Sequence, residues 1–466
     1  MCSLKERANS DTLHPIYHFT APAGWLNDPN GLILWRGEHH IFYQYNPQGA
    51  FVGTRYWGHA KSNDLVHWEH LPIALSPGKG TYDNDGCWSG CAVDNNSVPT
   101  IIYTGIMPEV QCIAFGDQEL VSWEKYFNNP VIKSPPNDYT VTGFRDPCVW
   151  KEDDTWYMIL GSGIKGIGGA VLLYESKDIL RWRYMHPLFI GEKEKTGEVW
   201  ECPDLFPLGN KYILLISTLR RNLYFVGNYI GHKFYPEKQG MLDMGNLYMA
   251  ARSMLDSSGR RIVFGWIREA RSSPMQIASG WSGAFSLPRT ISIDKRENLI
   301  MKPIPELKGL RSEPKRYENI QIKTDTPMQL EDVRGDSLEI VADFCPVQAE
   351  ELGIKIRCSP NLEEQTLITY KQKKNMLEIN NSNSSLSLEA DRGTQGGILG
   401  LGKNKRLKLH VFLDKSIVEV FANDQICLTN RIYPTRGDSI KVSIFTKKGI
   451  AKLLSLDSWE IKSIWL

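Results

Sequence analysis

With 466 residues, 42% hydrophobic and 23% charged, the chain is long enough for two domains or more and has an ordinary globular balance. Its 54 basic and 53 acidic side chains leave a formal net charge of +1, which removes the electrostatic case for nucleic acid or an anionic membrane as a partner. No stretch approaches about 18 consecutive apolar residues, so no membrane span is predicted.

The opening segment, Met1 to Asp11, holds no apolar stretch of the secretory kind. The nine cysteines (Cys2, Cys87, Cys91, Cys112, Cys148, Cys202, Cys345, Cys358 and Cys427) form an odd set without a CxxC pair. Together these features predict reduced thiols and a cytoplasmic location. Residues 1–13 are polar and are predicted to be loose. From there to about residue 300, short apolar runs alternate with Gly, Pro, Asn and Asp, and helical periodicity is largely missing, so this part is predicted to be β.

The apolar runs come in pairs: Gly31 to Trp35 with His40 to Tyr45, Cys91 to Val93 with Thr100 to Thr104, and Cys148 to Trp150 with Thr155 to Leu160. Two more pairs follow, Leu205 to Phe206 with Lys211 to Ser217, and Leu247 to Arg252 with Arg261 to Trp266. The leading positions fall near Asp28, Trp88, Asp146, Glu201 and Asn246, at spacings of 60, 58, 55 and 45 residues. A second mark repeats out of phase: Ser62 to Trp68 resembles Gln118 to Trp123 and Ser176 to Trp182. Self-similarity at this period predicts a five-bladed β-propeller over residues 14–305, with an irregular β-sandwich as the alternative. Residues 306–334, opened by Pro303 and Pro305 and rich in Lys and Glu, are predicted to be a linker. Alternating patterns at Ser337 to Ala342, Leu407 to Leu413, Ile417 to Phe421, Ile440 to Phe445 and Trp459 to Leu466 predict a β-sandwich over 335–466.

Three of the five leading positions carry a carboxylate beside an unusual neighbour: Asn27-Asp28-Pro29, Arg145-Asp146-Pro147 and Trp200-Glu201-Cys202-Pro203. Asn27 to Gly31 alone is a good turn sequence. Asp146 alone could pair with Arg145, and Glu201 alone could be a solvated strand end. Three carboxylates converging on a propeller axis, however, repel unless a cation or a reaction uses them. Calcium would need six to eight oxygen ligands and zinc would need His or Cys at chelating spacing. Arg145 already supplies charge and the ten His are scattered, so no metal and no cofactor is expected. Glycoside hydrolysis fits better, since it uses one ionised carboxylate and one carboxylic acid. Glu201, between Trp200 and Cys202, is the candidate acid; Asp146 beside Arg145 is expected to stay ionised; Asp28 is the candidate nucleophile. Gly161-Ser162-Gly163-Ile164-Lys165-Gly166 matches a dinucleotide fingerprint literally, but strands flank it on both sides, so it is predicted to be a flexible turn. Aromatics make up 11% with 14 Trp, suited to stacking on sugars and equally to filling a β core.

Trp25 to Gly31, Phe144 to Pro147 and Trp200 to Asp204 resemble the three signature motifs of glycoside hydrolase family 32, the invertases (β-fructofuranosidases) and fructan hydrolases. Phe42 to Pro47, Trp57 to Trp68, Trp88 to Gly90, Phe264 to Trp266, Gly280 to Arg289 and Ser416 to Ala422 also look like blocks of this family, so the resemblance spans roughly 14 to 466. It implies a five-bladed propeller followed by a β-sandwich, and a retaining hydrolase for terminal β-D-fructofuranosyl units. By motif it implies Asp28 as nucleophile, Glu201 as acid/base and Asp146 as transition-state stabiliser. It implies fructose contacts from Asn27, Gln44, Ser89 and Arg145, and an aromatic wall of Trp25, Trp57, Trp88 and Trp281. Sucrose is the expected substrate, with fructan hydrolysis or fructosyl transfer on the same scaffold as alternatives, and a sugar-binding propeller without catalysis as the reading from another class. The expected partner is a small sugar, with a homo-oligomer allowed. Val52-Gly53 stands where relatives often carry Trp-Gly beside the leaving group, which leaves that subsite open. Cys202, Cys87 and Cys91 near the funnel imply sensitivity to thiol reagents.

Overall fold

The computed structural model describes residues 3–402 and 405–465, so Cys2 and the terminal Leu466 lie outside the described residues. Five sheets, antiparallel apart from one short parallel pair at the ring closure, form the propeller. Their innermost strands are Gly24–Trp35, Gly86–Asp94, Val141–Glu152, Glu201–Leu208 and Tyr248–Leu255, here the first strands of blades I to V. Blades I to IV run outward by hairpins, and in blade V a helix and the segment Trp281–Phe285 intervene between the second and third strands; only the outer edges stay open. The repeat ending at Trp68, Trp123 and Trp182 marks the turn before each fourth strand. There a carboxylate caps successive backbone N–H groups: Asp64 for Val66 and His67, Asp178 for Leu180 and Arg181.

The segment Trp281–Phe285 closes the ring. Gly24 and Trp25 of blade I pair in parallel with Trp281 and Ser282, and Ala284 and Phe285 pair with blade V at Ile267 and Trp266. Gly283, at φ 82°, makes this approach possible, since a Cβ there would stand 2.1 Å from the Leu26 carbonyl oxygen. Residues expected to be loose at the N-terminus form a helix, Leu4–Ser10, because Ser3 and Glu6 make a reciprocal capping box. That helix packs on Trp281.

Two six-stranded sheets form the sandwich around an aliphatic core that includes Ile340, Ile354, Val411 and Ile444. The predicted linker 306–334 is corrected: Pro305–Leu310 is a 3-10 turn, Lys315–Ile322 pairs with Ala451–Glu460, and Met328–Arg334 pairs with Lys441–Lys447. These are edge strands, and edge strands carry charge on their open face, which gives them the composition of a linker. The last strand is Ala451–Glu460, earlier than the expected Trp459 to Leu466. Gly161 and Gly163 lie inside the strand Thr155–Ile164, with only Lys165 to Ile167 turning. A Cβ on Gly161 would come within 2.6 Å of the Trp200 carbonyl oxygen, so this glycine lets blade IV approach.

The sandwich docks on the propeller through a continuous core that joins Phe19, Phe264 and Phe285 to Phe412, Phe421 and Ile461. Within it Arg289, fully buried, bonds Asp243 at 2.9 Å and Glu419 at 2.7 Å. No helix among the described residues is long and apolar enough to cross a membrane.

Candidate active site

The site begins with a break in hydrogen-bond register. In the first strands of blades III, IV and V, pairing with the second strand skips between Arg145 and Cys148, between Glu201 and Asp204, and between Met249 and Arg252. The residue at each bulge has positive φ: Asp146 at 60°, Cys202 at 50° and Ala250 at 52°. A bulge re-aims side chains and ends regular pairing, here at the mouth of the axial funnel. Similar skips fall between Leu26 and Pro29 in blade I and between Trp88 and Gly90 in blade II. Asp146, Cys202 and Ala250 are therefore equivalent positions, with Ser89 the skipped residue of blade II and Asn27 and Asp28 the skipped pair of blade I. Glu201 shares its slot instead with Arg145 and Met249, one residue earlier than the spacing suggested, because spacing alone does not count a bulge.

Asp28, Asp146 and Glu201 meet in one cavity of about 170 Å³, with Asn27, Gln44, Trp88 and Arg145 also on its walls. A larger cavity of about 640 Å³ lies at the opposite end of the inner strands and holds none of the three.

Asp28 is fixed from two sides. Asn27 Nδ2 donates to Oδ1 at 2.9 Å and Ser89 Oγ donates to Oδ2 at 2.6 Å. Gln44 orients both donors, accepting from Asn27 at 2.9 Å and donating to Ser89 at 2.7 Å. Burial and then the charge of Asp146 raise the Asp28 pKa, against the opposing pull of the Ser89 hydroxyl and Arg252. Asp146 is buried, and its Oδ2 accepts the Cys202 N–H at 2.9 Å. At the matching bulge of blade V the Ala250 N–H goes to Ser217 Oγ on the second strand of blade IV. Blade III offers Gly161 at that place, so the carboxylate of Asp146 takes over the role.

Glu201 accepts from Arg145 Nη1 at 3.0 Å, and the same guanidinium reaches Glu109 at 2.5 Å. Burial, then the charge of Asp146, push the Glu201 pKa from 4.5 up to about 7, with Arg145 pulling it down. The alternative in which Asp146 simply pairs with Arg145 is not what forms: the bulge turns these adjacent side chains apart, and Arg145 bonds Glu201 and Glu109. The apolar shelter of Glu201 is not Trp200 either, which is buried between blades III and IV with its Nε1 on the Thr196 carbonyl.

The expected aromatic wall divides. Trp88 lines the cavity, and Trp25 stands just behind, beside Arg55. Trp57 is buried between blades I and II, where its Nε1 holds the Trp88 carbonyl at 3.0 Å. Trp281 is buried in the ring closure, with its Nε1 on Asp11 at 2.8 Å and Arg271 over its face. Neither Trp57 nor Trp281 reaches the cavity, so both placements on the wall are corrected. Both are large apolar rings at blade junctions, and burial claims them. Ser89 is buried beneath Asp28 and touches the cavity only through it. Of the three cysteines placed near the funnel, Cys202 is there, Cys87 is buried against Asp83, and Cys91 lines the opposite cavity.

Arg55, Ser217, Met249 and Trp266 also line the cavity, and Glu109 joins it through Arg145, beyond the residues named from sequence. Trp266 lay in a quoted motif, and Met249 and Ser217 follow once the blade register is known. Glu109 sits in a hairpin turn and has no sequence signal. Among the described residues no group of three or more His, Cys, Asp or Glu side chains is arranged to hold a metal ion.

Two family models match the chain: the glycosyl hydrolases family 32 N-terminal domain over residues 18–303, and the family's C-terminal domain over 306–460. A sucrose-6-phosphate hydrolase of Zymomonas mobilis is 33% identical, over 98% of this chain and 94% of its own. A raffinose invertase of Escherichia coli is also 33% identical, over 96% and 95% respectively. The crystal structure of fructan 1-exohydrolase IIa from Cichorium intybus superposes with a TM-score of 0.90 at 26% identity, covering 97% of this chain and 98% of that one.

Proposed function

The chain belongs to glycosyl hydrolase family 32 and is a glycoside hydrolase acting on fructosides, and from this premise we propose a retaining β-fructofuranosidase that releases fructose from sucrose and disaccharides built like it. Asp28 attacks the anomeric carbon of the fructosyl unit as Glu201 gives its proton to the departing glycosidic oxygen. A fructosyl ester forms on Asp28. Glu201, now ionised, takes a proton from water, and the resulting attack breaks the ester and returns both carboxyls to their starting states. Asp146 spends Oδ2 on the Cys202 N–H and keeps Oδ1 for a fructose hydroxyl.

The observation that carries the proposal is the division of labour between two carboxyls in one small cavity. Glu201 is pushed up to about 7, so it holds a transferable proton near neutrality. Asp28 is immobilised by two donors that are themselves oriented by Gln44. A cavity of about 170 Å³, the size of a single sugar, favours exo-cleavage of a short substrate. The experiment is product analysis after mixing the purified protein with sucrose, inulin and an arabinan. Fructose from sucrose is expected, and fructose from none of the three sinks the proposal. Asp28→Asn should keep the wild-type melting temperature and lose roughly a thousandfold or more of turnover.

A further inference from the structure

Three carboxyls share the cavity, and the arginines around it are committed unequally. Arg252 of blade V is buried on the side of the opposite cavity, where it donates to the carbonyl oxygens of Pro203 at 2.5 Å and Asp146 at 3.2 Å. Arg55 donates to the Gly53 carbonyl at 2.9 Å and stacks on Trp25 and Trp88. Arg145 forms two ion pairs: Nη1 stands 3.0 Å from Glu201 and Nη2 stands 2.5 Å from Glu109.

Glu109 ends the turn that joins Pro99–Ile106 to Val110–Gly116 in blade II. Its other oxygen accepts the Phe144 N–H at 2.6 Å, one residue before Arg145. One carboxylate therefore grips blade III twice, by the main chain of Phe144 and by the head group of Arg145. The face of that guanidinium rests on Trp88 at 5.0 Å. Held along one edge by Glu109 and on one face by Trp88, Arg145 cannot turn wholly towards Glu201.

A carboxylic acid that must keep a proton is poorly served by a bare cation 3.0 Å away, since opposite charge favours the ionised form. Glu109 offsets that cation. The guanidinium and Glu109 together carry no net charge, and Glu109 adds its own repulsion at Glu201 to that of Asp146 and Asp28. Cys202, next in the chain, is held as a neutral thiol, and Ser217, the strand partner of Glu201, brings no charge. Once the fructosyl ester has formed, Glu201 is ionised and Arg145 already stands beside it.

We propose that Glu109 is a positioning residue for the catalytic acid: it holds Arg145 between two carboxyls and so leaves Glu201 its proton. This rests on the β-fructofuranosidase reading above. Glu109 lies outside the cavity walls, so most of its effect passes through Arg145.

The test follows kcat/KM against pH for fructose release from sucrose or inulin, since the basic limb of that profile reports the acid of the free enzyme. Glu109→Gln keeps an acceptor for Phe144 and removes the charge. It is expected to move the basic limb to lower pH by about one unit, the lower end of what a neighbouring charge does. Arg145→Gln should move the limb the other way, and adding Glu109→Gln to it should shift the limb less than half as far as in the wild-type background. Glu109→Asp, which draws the charge back by one methylene, should shift it down by a smaller amount and serves in place of Glu109→Gln should that variant fail to fold. A purely structural brace would lower the melting temperature and leave the limb in place, and an unmoved or upward limb with fructose still released overturns the proposal. Equal shifts in the presence and absence of Arg145 overturn it too. Fructose from neither sugar removes the underlying reading, and the proposal with it.

Discussion

The backbone N–H of Cys202 bonds Asp146 Oδ2 at 2.9 Å, and the Cys202 thiol stands 3.6 Å from that oxygen and 3.6 Å from Asp28 Oδ2. One residue of blade IV therefore spaces two carboxylates of blades I and III. The strong bond comes from the main chain, so the side chain is the replaceable half. Cys202→Ala should keep Asp146 in place and reduce kcat/KM by less than about tenfold, since only weak S–H contacts go. Cys202→Asp should lose far more, because it sets a fourth acid directly against Asp28 and Asp146. Burial holds the thiol pKa well above its ordinary value, so the thiolate is not populated at neutral pH. Wild type and Cys202→Ala compared in a steady-state assay check the order.

The pH profile should be bell-shaped, with Glu201 on its basic side. Glu201 must be protonated to act as acid, and its pKa is pushed up to about 7 by burial and by Asp146. Activity on sucrose should therefore fall above about pH 7, by roughly tenfold per unit at the limit. The acid side belongs to Asp28, which must be ionised, and its raised pKa moves that limb upward as well. Arg145 lowers the Glu201 pKa, so Arg145→Gln should shift the basic limb to higher pH. A basic limb that stays put in that variant would remove Glu201 as its source.

Trp281 and Trp88 should separate in a paired experiment. Trp281 closes the ring between blades I and V, and Trp281→Ala should cost about 3–5 kcal/mol of stability, the usual scale for deleting a buried large ring. Its KM should change little once the protein is folded. Trp88→Ala, on the cavity wall, should raise KM with a smaller effect on melting. Denaturant titration beside steady-state kinetics distinguishes the two, and equal KM effects would put Trp281 back at the sugar.

Much of the fold was legible because the propeller repeats itself in sequence. The period near Asp28, Trp88 and Asp146 and the Trp-ended turns are local patterns, set by each hairpin's own geometry. The bulges were not legible, since a residue inserted into a ladder leaves the apolar alternation nearly intact. That is why the spacing puts Glu201 in phase with Asp146. The edge strands at 315–334 were hidden for a different reason: their exposed Lys, Arg and Glu serve solubility and imitate a tether. Glu109 reaches the site from a turn and Arg55 from a bridge residue just before the strand Tyr56–Ser62, and neither local sequence says where its side chain points. The motif tryptophans carried a further ambiguity, because a large ring that recurs can be a sugar platform or a blade-to-blade filler, and only burial separates Trp88 from Trp57.

His18 predicts how stability depends on pH. It lies fully buried where the N-terminal segment crosses the domain junction, with Nδ1 2.9 Å from Asp414 and Nε2 3.1 Å from Glu419. Burial by itself would lower its pKa. The hydrogen bonds and charges of Asp414 and Glu419 outweigh burial, and the pKa is raised above 6.5. The other groups facing it are fixed. Asp414 also takes the N–H groups of Ile16, Tyr17 and His18, and Glu419 also takes Arg289 and the Leu287 N–H. A group whose folded pKa exceeds its unfolded value binds its proton more tightly when folded. The resulting stabilisation is complete below about pH 6.5, the unfolded value, and is lost as pH rises through the higher folded value. Melting temperature should therefore decline across that window in the wild-type protein and decline less in His18→Asn, which cannot take up the proton. Arg289→Met in the same network should destabilise by about 3–5 kcal/mol, because it leaves Asp243 buried without its cation and Glu419 with His18 alone. Parallel slopes in wild type and His18→Asn would show that the proton at the domain junction does not contribute to holding the domains together.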